Sequence, residues 1–370
     1  MTGNSKSKKK IKLLIIIPSL QCGGSERYVT VLCNHIDKEK FDVTLVVLNN
    51  SDPFFIINEP AIKIIDLKVP RVLQSFFKIK KAVKSLKPDI IFTTANHLNL
   101  FFAIFKRTIT GDIKIVGRES SIVSLQKKHE KFTWFFNVLL KKYYKRLDFI
   151  ICQSAYMQKD LVEQYHVQKE KTIIINNPVE LMDNKSLLPN KKETTNRIYK
   201  FVTVSRLSKV KGITRLINAV KHLKVPFIYH IIGEGAERPV LEQLIIDQGL
   251  SEKVILEGVK KQPYQNMEDA DLFLMGSYHE GFPNALTEAG LLGIPVVAFD
   301  APGGIKEIIR DGENGFLVKE NDGVLFAETI QKALSANFNK SQISQQTSKR
   351  FSVTTIIQKV EQVFEEIYLA

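Results

Sequence analysis

At 370 residues the chain is long enough for two domains, each with a core of its own. With 44% hydrophobic and 25% charged residues and no apolar run near the roughly 18 residues that a membrane-spanning helix needs, the composition excludes a disordered chain and a helical bilayer span. The net charge of +14 is lopsided: residues 1–178 hold thirty Lys/Arg and fifteen Asp/Glu, while residues 179–370 hold 23 and 24, so an acidic partner or surface is expected opposite the first half.

The chain opens with a basic tail, Lys6 to Lys12, before the apolar run Leu13–Ile17. That run is too short for a secretory signal and no small-residue cleavage site follows, so it reads as a first buried strand. Cys22, Cys33 and Cys152 offer neither a disulfide framework nor metal-ligand spacing, which suits a reducing cytoplasm. Further strands are predicted at 43–48, 62–66, 89–93, 113–116, 148–152 and 172–175. Runs this continuously apolar belong in a parallel sheet covered on both faces. Polar residues 183–198, after Asn177-Pro178, read as a linker. A second series follows, with strands at 200–204, 227–232, 253–256, 271–275 and 295–299. Helices are predicted over 212–223, 236–248, 283–292, 303–310, 322–335 and 353–368. Two successive α/β series make the fold class α/β, two Rossmann-like domains facing each other across a cleft, and ligands of such sheets bind at the carboxyl ends of strands.

Several strand-end loops have the composition of an anion site. Gly23 and Gly24 lie between the first strand and its helix, where backbone can approach a ligand and a helix N-terminus presents N–H groups; taken alone, these residues read more readily as a plain structural turn. The run Ser205-Arg206-Leu207-Ser208-Lys209-Val210-Lys211-Gly212 places Arg206 just past a strand and Lys211 just before a helix, a pair suited to clamping a diphosphate. Gly233-Glu234-Gly235 ends the next strand.

The most specific stretch is Glu280-Gly281-Phe282-Pro283-Asn284-Ala285-Leu286-Thr287-Glu288. Pro283 suits a first helical turn, and the helix N-terminus would point from the strand end into the cleft. Glu280 and Glu288 can each accept protons from sugar hydroxyls. Eight helical positions span about 12 Å, more than the roughly 5–9.5 Å between glycosidase carboxylates, so two separate binding roles fit better than an acid–nucleophile pair. Asp269-Ala270-Asp271 imitates a metal-binding DxD motif but precedes a buried strand, where surface strand-start carboxylates are expected instead.

Taken in order, these landmarks resemble the retaining glycosyltransferases of family 4, of GT-B fold, and most of all the bacterial branch that builds lipopolysaccharide and capsule glycans. The resemblance runs from about residue 11 to 369 and is carried by the GGSER loop, Asn177-Pro178-Val179, SRLSKVKG, IIGEGAERPVLEQL, EGFPNALTEAG and PVVAFDAPGGIKEIIRDGENGFLV. It implies an acceptor-binding domain over 1–180, a nucleotide-sugar domain over 199–350, and a final segment 351–370 packing back toward the first domain. Arg206 and Lys211 match the pair that holds the donor diphosphate, Glu280 the carboxylate near the donor sugar, and Glu288 the carboxylate on the ribose. Phe282, Pro283 and Asn284 match the loop whose backbone holds the sugar, and Gly23 and Gly24 the first-domain loop near the diphosphate. Gly233, Glu234 and Gly235 are candidate substrate contacts. No metal and no other cofactor is implied. Many members carry a histidine where this chain reads Gly117-Arg118-Glu119-Ser120-Ser121, with Ser120 near the expected position.

The activity implied is transfer of a hexose or N-acetylhexosamine from a nucleotide-diphosphate sugar, a UDP-sugar above all, to a lipid-linked glycan, with retention. Residues 71–87 and 127–146 mix lysines with Phe76, Phe77, Trp134 and Phe135, which suits docking on the anionic inner face of the cytoplasmic membrane; a solvated helix face is the alternative. Two rival functions remain on the sequence alone: a nucleotide-sugar epimerase of the same fold, and a basic nucleic-acid-binding protein. The second lacks any zinc module, RNP signature or helix-turn-helix pattern, so no nucleic-acid partner is expected.

Overall fold

The computed structural model describes residues 9–126, 133–180, 197–260, 263–319 and 321–370. The chain forms two compact units, Met1–Pro178 with Val353–Ala370, and Val179–Ser352. Unit 1 runs β1 (Ile11–Ile17), α1 (Gly24–His35), β2 (Phe41–Val47), β3 (Lys63–Asp66), α2 (Phe76–Leu86), β4 (Ile90–Thr93), α3 (Asn96–Ile109), β5 (Lys114–Arg118), α4 (Val123–Gln126), α5 (Thr133–Tyr143), β6 (Phe149–Cys152), α6 (Ala155–Tyr165) and β7 (Thr172–Ile174). Unit 2 runs β8 (Tyr199–Val204), α7 (Ile213–Val220), β9 (Phe227–Ile232), α8 (Arg238–Asp247), β10 (Val254–Gly258), β11 (Leu272–Met275), α9 (Asn284–Leu291), β12 (Val296–Phe299), α10 (Ile305–Ile308), β13 (Gly315–Val318), α11 (Gly323–Ser335) and α12 (Lys340–Phe351). The chain then returns to unit 1 as α13 (Val353–Leu369).

Both sheets are parallel throughout, in the orders β3-β2-β1-β4-β5-β6-β7 and β10-β9-β8-β11-β12-β13. Each order reverses beside its first strand, at β1/β4 and at β8/β11, the switch point where loops diverge and leave room for a ligand. The apolar strand runs work as a two-sided pattern. Leu14 and Ile16 of β1 join one core layer with α2, α3 and α5, while Leu13, Ile15 and Ile17 join the opposite layer with α1 and α13. α13 buries Ile356, Ile357, Val360, Val363, Phe364 and Ile367, an apolar stripe at helical spacing. Each such side chain contributes about 1.5–3 kcal/mol by leaving water. Phe364 also sits edge-on to Phe41 and Phe92, at 6.1 and 5.4 Å.

Two elements escape the sequence pattern. β13 is only four residues long and follows a turn that holds Gly312 at φ +77°. α12 (KSQISQQTSKRF) is largely polar and buries only Ile343, Thr347 and Phe351, a single line of contact. The predicted linker at 183–198 falls, except for Arg197 and Ile198, outside the described residues, as do Lys127, Lys128 and Lys131 of the predicted basic segment. No helix among the described residues is long and apolar enough to cross a membrane.

Candidate donor site in unit 2

The site is built from four loops at the carboxyl end of the second sheet. After β8 the backbone passes Arg206, makes a single 3-10 turn over Lys209–Lys211 and reverses at Gly212, whose φ of +59° no branched residue would hold at ease. This loop is tied to the one after β9: Ser205 N–H donates to Ile232 O, Leu207 N–H to Glu234 O, and Glu237 N–H to Leu207 O, at 2.8–3.0 Å. The contact is close because Gly233 and Gly235 carry no side chain. A Cβ at either would lie 1.9 Å from Ser205 O or 2.2 Å from Leu207 O. Those two predicted contacts therefore have a packing role. Glu234 is exposed and paired with Arg238 at 2.8 Å, a bond that holds its carboxyl below the usual carboxylate range.

On the other side of the switch point, the loop after β11 carries Ser277, Tyr278, His279 and Glu280. Tyr278 N–H donates to Val210 O at 2.8 Å. Glu280 is buried, and its Oε1 accepts from Lys211 Nζ at 2.6 Å and from Ser277 Oγ at 2.5 Å. The structure thus brings together Lys211 and Glu280, 69 residues apart in sequence. Arg206 lies on the same loop as Lys211, with its side chain exposed. Burial holds the neighbouring His279 below the usual histidine value, against the pull of the Glu280 charge, so its ring is neutral at pH 7.

The loop after β12 closes the array. Glu280 N–H donates to Pro302 O at 3.0 Å and Gly304 N–H to Gly281 O at 3.1 Å. Past Phe282, α9 begins at Asn284, with Pro283 in extended geometry as its N-cap rather than inside its first turn, and Pro283 itself makes no side-chain cap bond. The positive end of α9 therefore rises from the loop that holds Glu280. Phe282 turns its ring into the core, 5.5 Å from Phe351 of α12, which leaves its backbone for any ligand. Glu288 is buried in the second turn of α9. α12 supports α9 from behind: Ser344 Oγ donates to Leu291 O at 2.6 Å, and a Cβ on Gly290 would lie 2.6 Å from Thr347 Oγ1.

One positioning residue carries almost no sequence signal beyond standing four residues after Lys211. Arg215 of α7 donates from Nε to Gly276 O at 2.6 Å and from Nη2 to Ser277 O at 2.5 Å. Its guanidinium lies 4.2 Å from the Tyr278 ring and 4.1 Å from that of Phe299. Burial, tempered by Tyr278, lowers it to about 10, so it stays charged at pH 7. Arg215→Lys keeps the charge but loses the planar fork. It is expected to cost about 1–3 kcal/mol of stability and, by loosening the Ser277–Glu280 loop, to lower kcat/KM about tenfold. Urea unfolding and steady-state kinetics check both.

The remaining predicted residues lie elsewhere. Asp269 and Asp271 stand at the amino end of β11, the far end from these loops. Asp271 pairs with Arg197 and accepts from Lys200 N–H at 2.8 Å, and Asp269 pairs with Lys200. Among the described residues no group of three or more His, Cys, Asp or Glu is placed to hold a metal ion. In unit 1, Gly23 is the N-cap of α1 in extended geometry, and a Cβ on Gly24 would meet nothing within 4 Å. The turn itself does not require a glycine pair.

Residues 22–182 match the family described as Glycosyltransferase Family 4, and residues 184–350 match Glycosyl transferases group 1. The chain is 30% identical over 329 residues to the N-acetylgalactosamine-N,N'-diacetylbacillosaminyl-diphospho-undecaprenol 4-alpha-N-acetylgalactosaminyltransferase of Campylobacter jejuni, covering 85% of this chain and 88% of that protein. Among solved structures it is similar to the lipopolysaccharide outer core galactosyltransferase WaaB (TM-score 0.79, 18% identity, 96% of this chain and 100% of that one). It is also similar to Anabaena Alr3699/HepE in complex with UDP-glucose (TM-score 0.76, 22% identity, the same two coverages). With both halves matched in order and GT-B enzymes as its structural neighbours, the chain belongs to the family 4 glycosyltransferases.

Proposed function

We propose that this glycosyltransferase moves a hexose or N-acetylhexosamine from a UDP-sugar to a lipid-linked glycan hydroxyl with retention, and does so without a metal ion. The observation that carries the reading is the Lys211–Glu280 pair on the loops that lead into the start of α9. In the free enzyme Glu280 holds Lys211 in place. A diphosphate entering beside the pair draws Lys211 to itself and releases Glu280 to accept from sugar hydroxyls.

Charge builds on the departing diphosphate as the glycosidic bond lengthens. Lys211, Arg206 and the positive end of α9 stabilise it. The leaving phosphate oxygen takes the acceptor's proton, so no protein base is needed. Glu288 is assigned to the ribose hydroxyls. Gly23, where a Cβ would lie 2.2 Å from Glu26 Oε2, and Gly24, where it would meet nothing within 4 Å, are assigned to close backbone approach by substrate. The UDP-glucose complex of HepE supports the donor class, and the diphospho-undecaprenol acceptor named for the Campylobacter enzyme supports the acceptor class.

Such an acceptor sits in a bilayer, and unit 1 has a surface suited to one. Leu73, Phe77, Trp134 and Phe135 are 74%, 80%, 77% and 54% exposed. They belong to the segment that starts α2 and to α5, both of which pack on α3 in one layer, with exposed Lys80, Lys81, Lys84, Lys141 and Lys142 alongside. We assign this face to an anionic membrane surface. Phe77→Ser with Trp134→Ser is expected to weaken binding to phosphatidylglycerol vesicles at least about tenfold, with the fold intact by circular dichroism; unchanged vesicle sedimentation would refute the assignment.

The catalytic reading is tested by offering UDP- and GDP-sugars with undecaprenyl-diphosphate-linked saccharides in EDTA, then reading the products by mass spectrometry and NMR. An α-linked product from an α-configured UDP-sugar is expected. Donor consumption without acceptor, a β-linked product, or dependence on added metal would contradict it.

A further inference from the structure

The loop between β11 and α9 carries one ionisable side chain that the donor chemistry above leaves idle. His279 stands between Tyr278 and Glu280, and both neighbours are pinned by their backbone. Tyr278 N–H donates to Val210 O at 2.8 Å, and Glu280 N–H to Pro302 O at 3.0 Å. Residue 279 is therefore held in place from both sides. Its ring is half-buried, yet neither ring nitrogen makes a hydrogen bond to any described residue. Polar groups withdrawn from water are nearly always bonded. An imidazole left open beside the Lys211–Glu280 pair is available to whatever enters there.

The surrounding charges decide what it can receive. On the neighbouring elements, Arg215 of α7 is committed to the Gly276 and Ser277 carbonyls, and Asp300 beyond β12 is paired with Lys306 at 2.9 Å. Arg206 and Lys209 of the loop after β8 are exposed. Glu280 and Lys211 are the charges that act on the ring, in opposite directions, and burial outweighs both, so His279 is neutral in the free enzyme at pH 7. That balance depends on the ion pair being closed. A UDP-sugar brings a diphosphate with two negative charges. As Lys211 turns from Glu280 to this diphosphate, the charge summed over Lys211, Glu280 and ligand passes from zero to minus two. The imidazole beside them then gains proton affinity, by about tenfold or more. Once protonated, both of its ring nitrogens are donors.

We propose that His279 is a third cationic contact for the donor diphosphate, an imidazole that takes up a proton as the UDP-sugar binds and holds the phosphate as an imidazolium. The proposal rests on the nucleotide-sugar reading above and adds a proton to its binding equilibrium. That proton comes from solvent and stays on the ring; no bond of the donor breaks in this step. The complex holds more protons than the free enzyme, so donor affinity rises as pH falls, and levels off above the pKa of the bound ring and below that of the free one.

UDP-glucose, UDP-galactose, UDP-N-acetylglucosamine and UDP-N-acetylgalactosamine serve as probes. Their diphosphate is esterified at both ends and has no group that titrates between pH 5.5 and 8, unlike the terminal phosphate of UDP. Calorimetric titration in buffers of different ionisation heat reads the proton count directly. For at least one UDP-sugar, the wild-type enzyme is expected to take up about half a proton or more near pH 6.5, and to bind about five- to tenfold more tightly at pH 5.5 than at pH 8. His279→Gln keeps a hydrogen-bond donor but cannot become charged. It should bind that sugar at pH 8 about as well as wild type, lose the pH dependence and take up no proton, with Tm unchanged; His279→Asn should behave alike. Loss of affinity at every pH equally, or a lower Tm, would mark His279 as merely structural and overturn the proposal. Wild-type binding without proton uptake, or uptake that survives in both variants and so belongs to Glu280, would overturn it and leave the donor reading standing. No UDP-sugar binding at any pH would overturn both.

Discussion

Lys211→Ala is expected to lower the transfer rate by about 10²–10³-fold, the usual cost of removing one group that stabilises charge on a leaving oxyanion. Lys211 is held directly on the Glu280 carboxylate through a 2.6 Å bond, and that carboxylate is buried with Ser277. Its removal also leaves Glu280 with a neutral hydroxyl as the partner for its charge, at a cost of about 1–3 kcal/mol in stability. The two effects are separable. Adding Glu280→Gln removes the stranded charge, so Lys211→Ala/Glu280→Gln should regain most of the lost stability and none of the lost rate. Urea unfolding beside single-turnover kinetics reads both. Full transfer by Lys211→Ala would remove Lys211 from the chemistry.

Gly303→Ala should be the most damaging single methyl group in unit 2. Gly303 has φ +120°, and a Cβ there would lie 1.5 Å from the Glu280 carbonyl oxygen, far inside van der Waals contact. Side-chain movement cannot relieve that overlap, because both partners are backbone. The loops after β11 and β12 must separate, breaking the Glu280 N–H to Pro302 bond that sets the height of Glu280. Strained φ plus overpacking adds to about 2–6 kcal/mol, and UDP-sugar affinity should fall with it. Gly24 is the opposite case, since a Cβ there meets nothing within 4 Å and its φ is not positive. Gly24→Ala is expected to change stability by less than about 0.5 kcal/mol while slowing transfer, if backbone approach by substrate is what that glycine serves. Paired unfolding curves and kinetics distinguish a structural glycine from a substrate-facing one.

What could be read from the residues alone follows the strength of their periodic signal. Leu13–Ile17 is apolar on both faces, and the two core layers that share it are the reason. The switch-point loops were legible because Gly212, Gly233 and Gly303 punctuate them, and each glycine sits where a Cβ would strike a neighbouring loop's carbonyl oxygen. Glu280 stood out by type, yet its partner Lys211 is 69 residues away and only the β8/β11 adjacency joins them. α12 stayed hidden because three buried residues on a polar helix make no stripe. Arg215 stayed hidden because the two bonds that hold the site loop go to backbone carbonyl oxygens, which every residue has. Arg118 carries no signal of its own in the sequence, and only its complete burial sets it apart.

A crystal structure of the enzyme soaked with UDP in EDTA tests the donor site most directly. Lys211 Nζ should leave Glu280 and lie within hydrogen-bonding reach of the β-phosphate, with the N-terminus of α9 facing the same group. UDP bound elsewhere, with the 2.6 Å Lys211–Glu280 contact undisturbed, would contradict the assignment.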